Sequence, residues 1–280
     1  MDFYLAHPLD GYRRCACMMM DADIVAASPS TVYDVLRRAG VMRACRGKSG
    51  CKGVGFRQPD GPHRHWHTDT THVKVNGVAA NLCSIIDGYS RYNVAHRLGE
   101  DGSAPDVELV FQMAFERFPQ AGGRVISDNG KAFVSREFRE LLGLHGFIYS
   151  STSPYYPQSN GKQERFHGTL KHEIIVGRTM PDLAYAARLI DGAIDYYNNV
   201  RLHSAIGYVT PRDMLEGRAP AIQAGRERKL REARERRRRL AKTGKDATLT
   251  MRRETEGGSA GGQPPGDGAA AETAWAVPAG

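Results

Sequence analysis

Read for the spacing of its apolar and polar positions, the chain changes period several times. Residues 65–75 and 78–87 are strand-like runs separated by Asn76-Gly77, a pair that tolerates the two positive φ angles of a tight hairpin turn. Residues 92–98 make a third strand. From 105 the period lengthens, and Val107, Val110, Phe111, Ala114 and Phe118 recur along one side of a helix over 105–118. Short apolar strands at 125–127 and 147–149 then alternate with helices over 135–144, 159–176 and 181–197, and a Ser/Pro/Tyr loop fills 151–158. Three strands in a meander followed by strands alternating with helices predict an α/β protein, with a mixed five-stranded sheet and flanking helices.

The flanks have a different character. Residues 12–20 form one expected helix. Ser28-Pro29-Ser30 reads as the start of another, with Ser28 as cap, Pro29 in the first turn and Gly40 as the stop. Such a pair suits helix-turn-helix DNA binding and suits an ordinary packing element equally well. Residues 46–62, rich in Gly, Lys and Pro, read as a linker. Residues 222–242 alternate Arg, Glu, Ala and Leu as a solvated basic helix does, and the Gly/Ala/Pro-rich stretch 255–280 reads as a disordered tail. The expected organisation is a helical, helix-turn-helix-like segment with linker at 1–58, an α/β core at 59–220, and a basic helix with tail at 221–280.

Composition changes the picture at a few points only. Hydrophobic residues make up 41% and charged residues 25% of the 280, an ordinary globular mix. No apolar run reaches membrane-spanning length and the start lacks a signal-peptide pattern, so no membrane association and a cytoplasmic location are expected. The net charge of +8 points to a polyanionic partner, but residues 226–242 hold ten Lys/Arg against three Glu, which is nearly all of the excess. That tract reads either as a phosphate-tracking surface or as a soluble charged helix. Five cysteines without a CxxC pair read as reduced thiols. His63, His65 and His67 alternate as one strand face would, which permits metal ligation, but no fourth ligand is suggested and a polar strand face is the simpler reading.

Three acidic residues carry the candidate chemistry. Asp69 lies inside the first strand, where aspartate is disfavoured. Asp128 follows directly on the apolar strand Val125-Ile126-Ser127, and strand ends of this kind are where α/β sheets place ligand-binding groups. Glu164 lies in the first turns of the 159–176 helix, 35 residues beyond Asp128. Each alone reads as a surface charge or a cap. Brought together they would repel one another unless a cation intervened, and hard oxygen ligands suit Mg²⁺ or Mn²⁺. Two such ions support in-line displacement at phosphorus. Asp87, on the neighbouring strand, reads as a structural turn residue.

At these residues the sequence resembles a known family. The stretches Trp66-His67-Thr68-Asp69-Thr70-Thr71, Ile85-Ile86-Asp87-Gly88-Tyr89-Ser90-Arg91, Ser127-Asp128-Asn129-Gly130 and Ser153-Pro154-Tyr155-Tyr156-Pro157-Gln158-Ser159-Asn160-Gly161-Lys162-Gln163-Glu164-Arg165-Phe166-His167-Gly168-Thr169-Leu170-Lys171 are similar to those of the DDE transposases of bacterial insertion sequences. The group concerned has a catalytic core like that of retroviral integrases, and the 35-residue interval is its signature. Tyr196-Tyr197-Asn198, Arg201, His203, Gly207-Tyr208, Thr210 and Pro211 resemble the end of that core, so the likeness covers about residues 63–213. The resemblance implies a ribonuclease-H-like fold, with Asp69, Asp128 and Glu164 as catalytic residues holding two Mg²⁺ or Mn²⁺ ions. It implies cleavage at the ends of an insertion element and attack of a 3′-hydroxyl on target DNA. Lys171, seven residues after Glu164 and so on the same helical face, would contact DNA, and Gln158, Asn160 and Lys162 would touch phosphates or bases beside Glu164.

The implied partners are the terminal repeats and the target DNA, further copies of the chain assembled on DNA, and a helix-turn-helix protein encoded upstream. His7-Pro8, Gly11-Tyr12-Arg13-Arg14 and the segment 32–40 resemble the helices that precede such cores, which favours terminal-repeat binding by the N-terminal segment. The zinc module of retroviral integrases is not visible. A plain nuclease acting on RNA–DNA hybrids and an impaired DNA-binding relic are the competing readings.

Overall fold

A computed structural model describes residues 1–42, 58–127, 133, 135–151, 161–175 and 177–242. The chain divides into two compact units, residues Arg46–Ala219 and residues Met1–Cys45 together with Pro220–Gly280.

The larger unit is built on a sheet of order β3-β2-β1-β4-β5. Strand β1 (His65–Val75) returns through Asn76-Gly77 into β2 (Val78–Asp87), antiparallel, with Val75 facing Val78. Both turn residues have positive φ, 47° and 81°, as a two-residue hairpin of this hand requires. Strand β3 (Asn93–Gly99) adds antiparallel to β2, with an irregularity at Ile85/Ile86. β4 (Gly123–Ser127) then lies parallel to β1, and β5 (Phe147–Ser151) parallel to β4. This is the expected mixed five-stranded sheet. Gly123 is what lets β4 enter beside β1, because a Cβ there would stand 2.3 Å from the Arg64 carbonyl oxygen.

Alternation along the strands gives the sheet two faces. Trp66, Ile85, Val94, Val125 and Phe147 pack against Val107, Val110, Phe111, Ala114 and Phe115 of α4 (Ala104–Arg117) and Phe138 and Leu142 of α5 (Arg136–Leu144). Trp66 anchors this layer, its ring centroid 4.4 Å from that of Phe147 and 5.9 Å from Phe115. The other face meets α6 (Gly161–Leu170) and α7 (Leu183–Asn199), whose Phe166 and Tyr197 rings meet edge to face at 4.9 Å. Asn198 closes the outer edge of β3: its amide accepts from Asn93 N (2.8 Å) and donates to Asn93 O (3.0 Å).

Element ends differ modestly from the sequence expectation. The helix expected over 159–176 is α-helical from Gly161 to Leu170 and continues as a π-helical turn, Lys171–Ile175. α7 starts at Leu183 rather than 181, because the Asp182 carboxylate caps it by accepting from Tyr185 N at 2.7 Å. The alternation of His63, His65 and His67 does not extend to His63, which precedes β1 at φ 60°. Its ring accepts from the Trp66 indole (3.1 Å) and packs on Phe118, so it is a packing group. Among the described residues no group of three or more His, Cys, Asp and Glu could hold a metal.

In the other unit, α1 (Asp2–Leu5), α2 (Tyr12–Asp21) and α3 (Pro29–Arg38) precede the sheet in sequence, and the long α9 (Ala219–Lys242) follows α8 (Pro211–Leu215). Ser28 caps α3, accepting from Thr31 N at 3.2 Å, and Pro29 sits in the first turn. Gly40, at φ 69°, ends the helix as expected. Its N–H meets Arg37 O while Val41 N meets Leu36 O, the paired bonds of a Schellman stop. Ala16, Ala27, Val32 and Leu36 form a small core between α2 and α3. No described helix is long and apolar enough to cross a membrane. Residues 46–57 of the linker expected at 46–62, and the tail at 255–280, lie outside the described residues.

Candidate active site

The site begins with the way α6 is laid on the sheet. Gln163 is fully buried, and its amide donates to His67 O (2.6 Å) on β1 and to Ser84 O (2.9 Å) on β2. One turn on, His167 Nε2 lies 3.0 Å from Ser84 Oγ. At the far end, Lys171 Nζ donates to Thr71 Oγ1 at 2.6 Å. The helix therefore runs beside β1 from His67 to Thr71. Eight helical residues and four strand residues both span about 12–13 Å, so the two elements keep pace.

Asp69 lies midway along that stretch, on the same strand face as His67 and Thr71. Its Oδ1 accepts from Thr70 N (2.9 Å), and its Oδ2 stands 3.8 Å from His167 Nδ1. The carboxylate remains 21% exposed. Ser84, its partner across the β1–β2 ladder, is the residue that holds His167. Burial, reinforced by the positive charge of Lys171, pushes the His167 imidazole down to about 4. At neutral pH the contact with Asp69 is thus made by a neutral ring, not by an ion pair.

Glu164 follows Gln163 on α6 and is solvent-exposed, one helical repeat from Lys171. Among the described residues, β4 pairs with β1 only from His65 to His67, whereas β1 continues to Val75 against β2. β4 ends at Ser127, whose hydroxyl lies 3.1 Å from the Tyr149 hydroxyl. Asp128 is one peptide bond further on and lies outside the described residues, as do Gln158 and Asn160.

Lys162 is placed differently from Lys171. It points toward the turn after β2, where Nζ donates to Gly88 O (3.0 Å), and burial together with Arg91 pushes it down to about 7. Asp87 is structural, as the sequence suggests. It is fully buried and accepts from His63 N (2.8 Å), Ser90 N and Ser90 Oγ (both 2.7 Å). The residues after α7 are structural too. Arg201 forms a two-pronged pair with Glu173 (2.7 and 2.6 Å), and Thr210 caps α8 with Pro211 in its first turn.

Sequence reasoning missed Ser84, Gln163 and His167. Burial of polar residues where a helix meets the sheet is their only mark. The carboxylates Asp69 and Glu164 offer hard oxygen donors with solvent access, which fits a divalent cation.

Comparison with known proteins agrees with this architecture. Two family models, both described as integrase core domain, match residues 59–157 and 145–211. The uncharacterized protein of insertion element IS136 from Agrobacterium fabrum is 33% identical over 152 residues, 51% of this chain and 77% of that protein. The InsD transposase of insertion element IS2 from Escherichia coli is 35% identical over 94 residues, which cover 34% of this chain and 31% of that one. A chain of the simian T-cell lymphotropic virus intasome, solved with PP2A regulatory subunit B56 gamma, superposes with a TM-score of 0.50 at 18% identity. The match spans 68% of this chain and 67% of that one. The described sheet, the family models and the IS136 relative agree: the chain belongs to the DDE transposases of bacterial insertion sequences, with an integrase-type, ribonuclease-H-like core.

Proposed function

We propose that this chain cuts and joins DNA strands at the ends of an insertion element, with Asp69, Asp128 and Glu164 as the catalytic carboxylates. The observation that carries the reading is the seating of α6 along β1. Gln163, the neighbour of Glu164, and Lys171 are bonded to the two ends of the strand segment whose midpoint is Asp69. Asp128 enters through the sequence, one residue beyond the parallel strand that leaves β1 near that segment. The three carboxylates would hold two Mg²⁺ or Mn²⁺ ions, which supply activation of the attacking oxygen and stabilisation of the leaving one.

The chain's own residues prepare the site. Thr70 N fixes one oxygen of Asp69, and the neutral His167 ring lies against the other. Gln163 keeps α6 from sliding along the sheet, so Glu164 holds its height relative to Asp69. Lys171, held at Thr71, offers a charge to a phosphate, and Gln158 and Asn160 would line the DNA path ahead of Glu164, whereas Lys162 would reach DNA only by leaving Gly88 O. DNA is the partner, as terminal repeats and as target. Joining two ends calls for more than one copy of the chain.

The test is an oligonucleotide assay in Mn²⁺ with the repeats flanking the gene, comparing wild type with Glu164→Gln and Asp128→Asn. Cleavage or joining by the wild type should fall by at least about a thousandfold in each variant, the scale of losing an essential charge-stabilising group. Retained activity in either variant overturns the assignment.

A further inference from the structure

The described residues of α9 sort into two sectors. One is committed to the N-terminal helices. Arg226 makes a two-pronged pair with Asp21 (2.8 and 2.5 Å), and Lys229 reaches Met20 O (2.7 Å) and Asp23 (2.6 Å). Ala233 is buried, and Arg237 donates to Ala26 O (2.9 Å). Positions 226, 229, 233 and 237 follow helical spacing, and every acceptor lies between residues 20 and 26, where α2 gives way to α3. The basic tract is therefore no free arm.

The solvent-exposed side of the helix carries Arg228, Arg231, Arg234 and Arg238. They extend over about 15 Å at 1.5 Å per residue. Duplex DNA presents a backbone charge every ~1.7 Å of axis, so over that length each of the four guanidiniums has a phosphate within reach. Guanidinium forks match phosphate oxygens in geometry as well as charge. Glu227, Glu232 and Glu235 interrupt the sector, with Glu232 3.9 Å from Arg228. They keep the helix soluble without cancelling its positive excess.

We infer that α9 is one wall of a discontinuous DNA-docking unit, in which Arg228, Arg231, Arg234 and Arg238 meet the phosphate backbone of duplex DNA. The clamp onto residues 20–26 sets this row at a fixed place beside α2 and α3. This inference rests on the reading that the chain acts on DNA. It adds that the docking surface is shared between the two ends of the chain.

The test uses the full chain and fluorescence anisotropy, with one duplex taken from the sequence flanking the gene and one of scrambled sequence, at 50–200 mM salt. For the wild type, log affinity should fall steeply with log salt. In the variant R228Q/R231Q/R234Q/R238Q the slope should become shallower by about 3–4, at ~0.9 per phosphate contact, equally on both duplexes. The clamp variant D21N/D23N keeps all four arginines. It should retain affinity for the scrambled duplex and lose roughly tenfold in preference for the flanking one, because its arginines are no longer placed. Unchanged melting by circular dichroism shows that each variant is folded. A wild-type slope in the quadruple variant overturns the inference and leaves the catalytic reading intact. A wild type that binds neither duplex overturns both.

Discussion

Asp69 and Asp87 sit on paired strands, yet their surroundings assign them opposite work. Asp87 is enclosed and spends its oxygens on three donors, whereas Asp69 keeps a face to solvent. Asp87→Ala should therefore cost about 3 kcal/mol of stability, since it leaves buried donors unmet. Asp69→Asn should leave melting nearly unchanged, and chemical denaturation of the two variants distinguishes them. His167 gives a pH signature. Its folded-state value near 4 lies below the ordinary 6.5, so between these the unfolded chain binds more protons. Stability is then complete above about pH 6.5 and falls on acidification toward pH 4, by at most ~3 kcal/mol for this group. In metal-free buffer, His167→Gln should flatten that part of the stability profile; an unchanged profile would exclude the buried neutral imidazole. Asp69 and Glu164 stand out in the sequence as candidates, because a carboxylate within a strand is unusual and the 35-residue interval after Asp128 is that of the resembled family. Gln163 and His167 do not, since a polar helix position facing a sheet looks the same in sequence as one facing water.

At the scale of elements, local chemistry was read well wherever one or two residues decide the geometry. Asn76-Gly77 set the hairpin, Ser28-Pro29 the start of α3, and Gly40 its end. Gly77→Ala should cost about 1 kcal/mol, because φ 81° strains any L side chain while nothing crowds the new methyl. Urea denaturation should show a lower midpoint with an unchanged slope. The π-helical turn after Leu170 was not legible, since apolar spacing over five residues does not separate it from an α-helix. The role of Asn198 was also hidden: its amide meets Asn93, 105 residues away, and periodicity carries no record of such a pairing.

For the whole molecule, the sequence separated residues 1–58 from 221–280, whereas the compact unit gathers both ends of the chain. Ion pairs across that distance leave no periodic trace, and a basic helix reads as solvated until its acceptors are seen. Cys15, Cys17 and Cys83 are buried free thiols, each pushed up by that burial, Cys15 to about 11 and Cys83 to about 12. Arg226→Ala should loosen the terminal unit, and peptide-resolved alkylation should find Cys15 and Cys17 labelled roughly tenfold faster with Cys83 still protected, the mark of a local opening. Equal acceleration at all three would instead indicate global unfolding.

The clamp between Arg226 and Asp21 joins residues 205 apart in the chain. During synthesis at about 5–20 residues per second, the N-terminal helices leave the ribosome roughly 10–40 s before the partner that completes them. Throughout that interval Met20, Ala26 and the aspartates between them lack their cations, while the strands of the core emerge and pair. The unit that is first in the sequence is thus the last that can finish folding, and a chain whose translation stops short of Pro220 presents its core without a completed terminal unit.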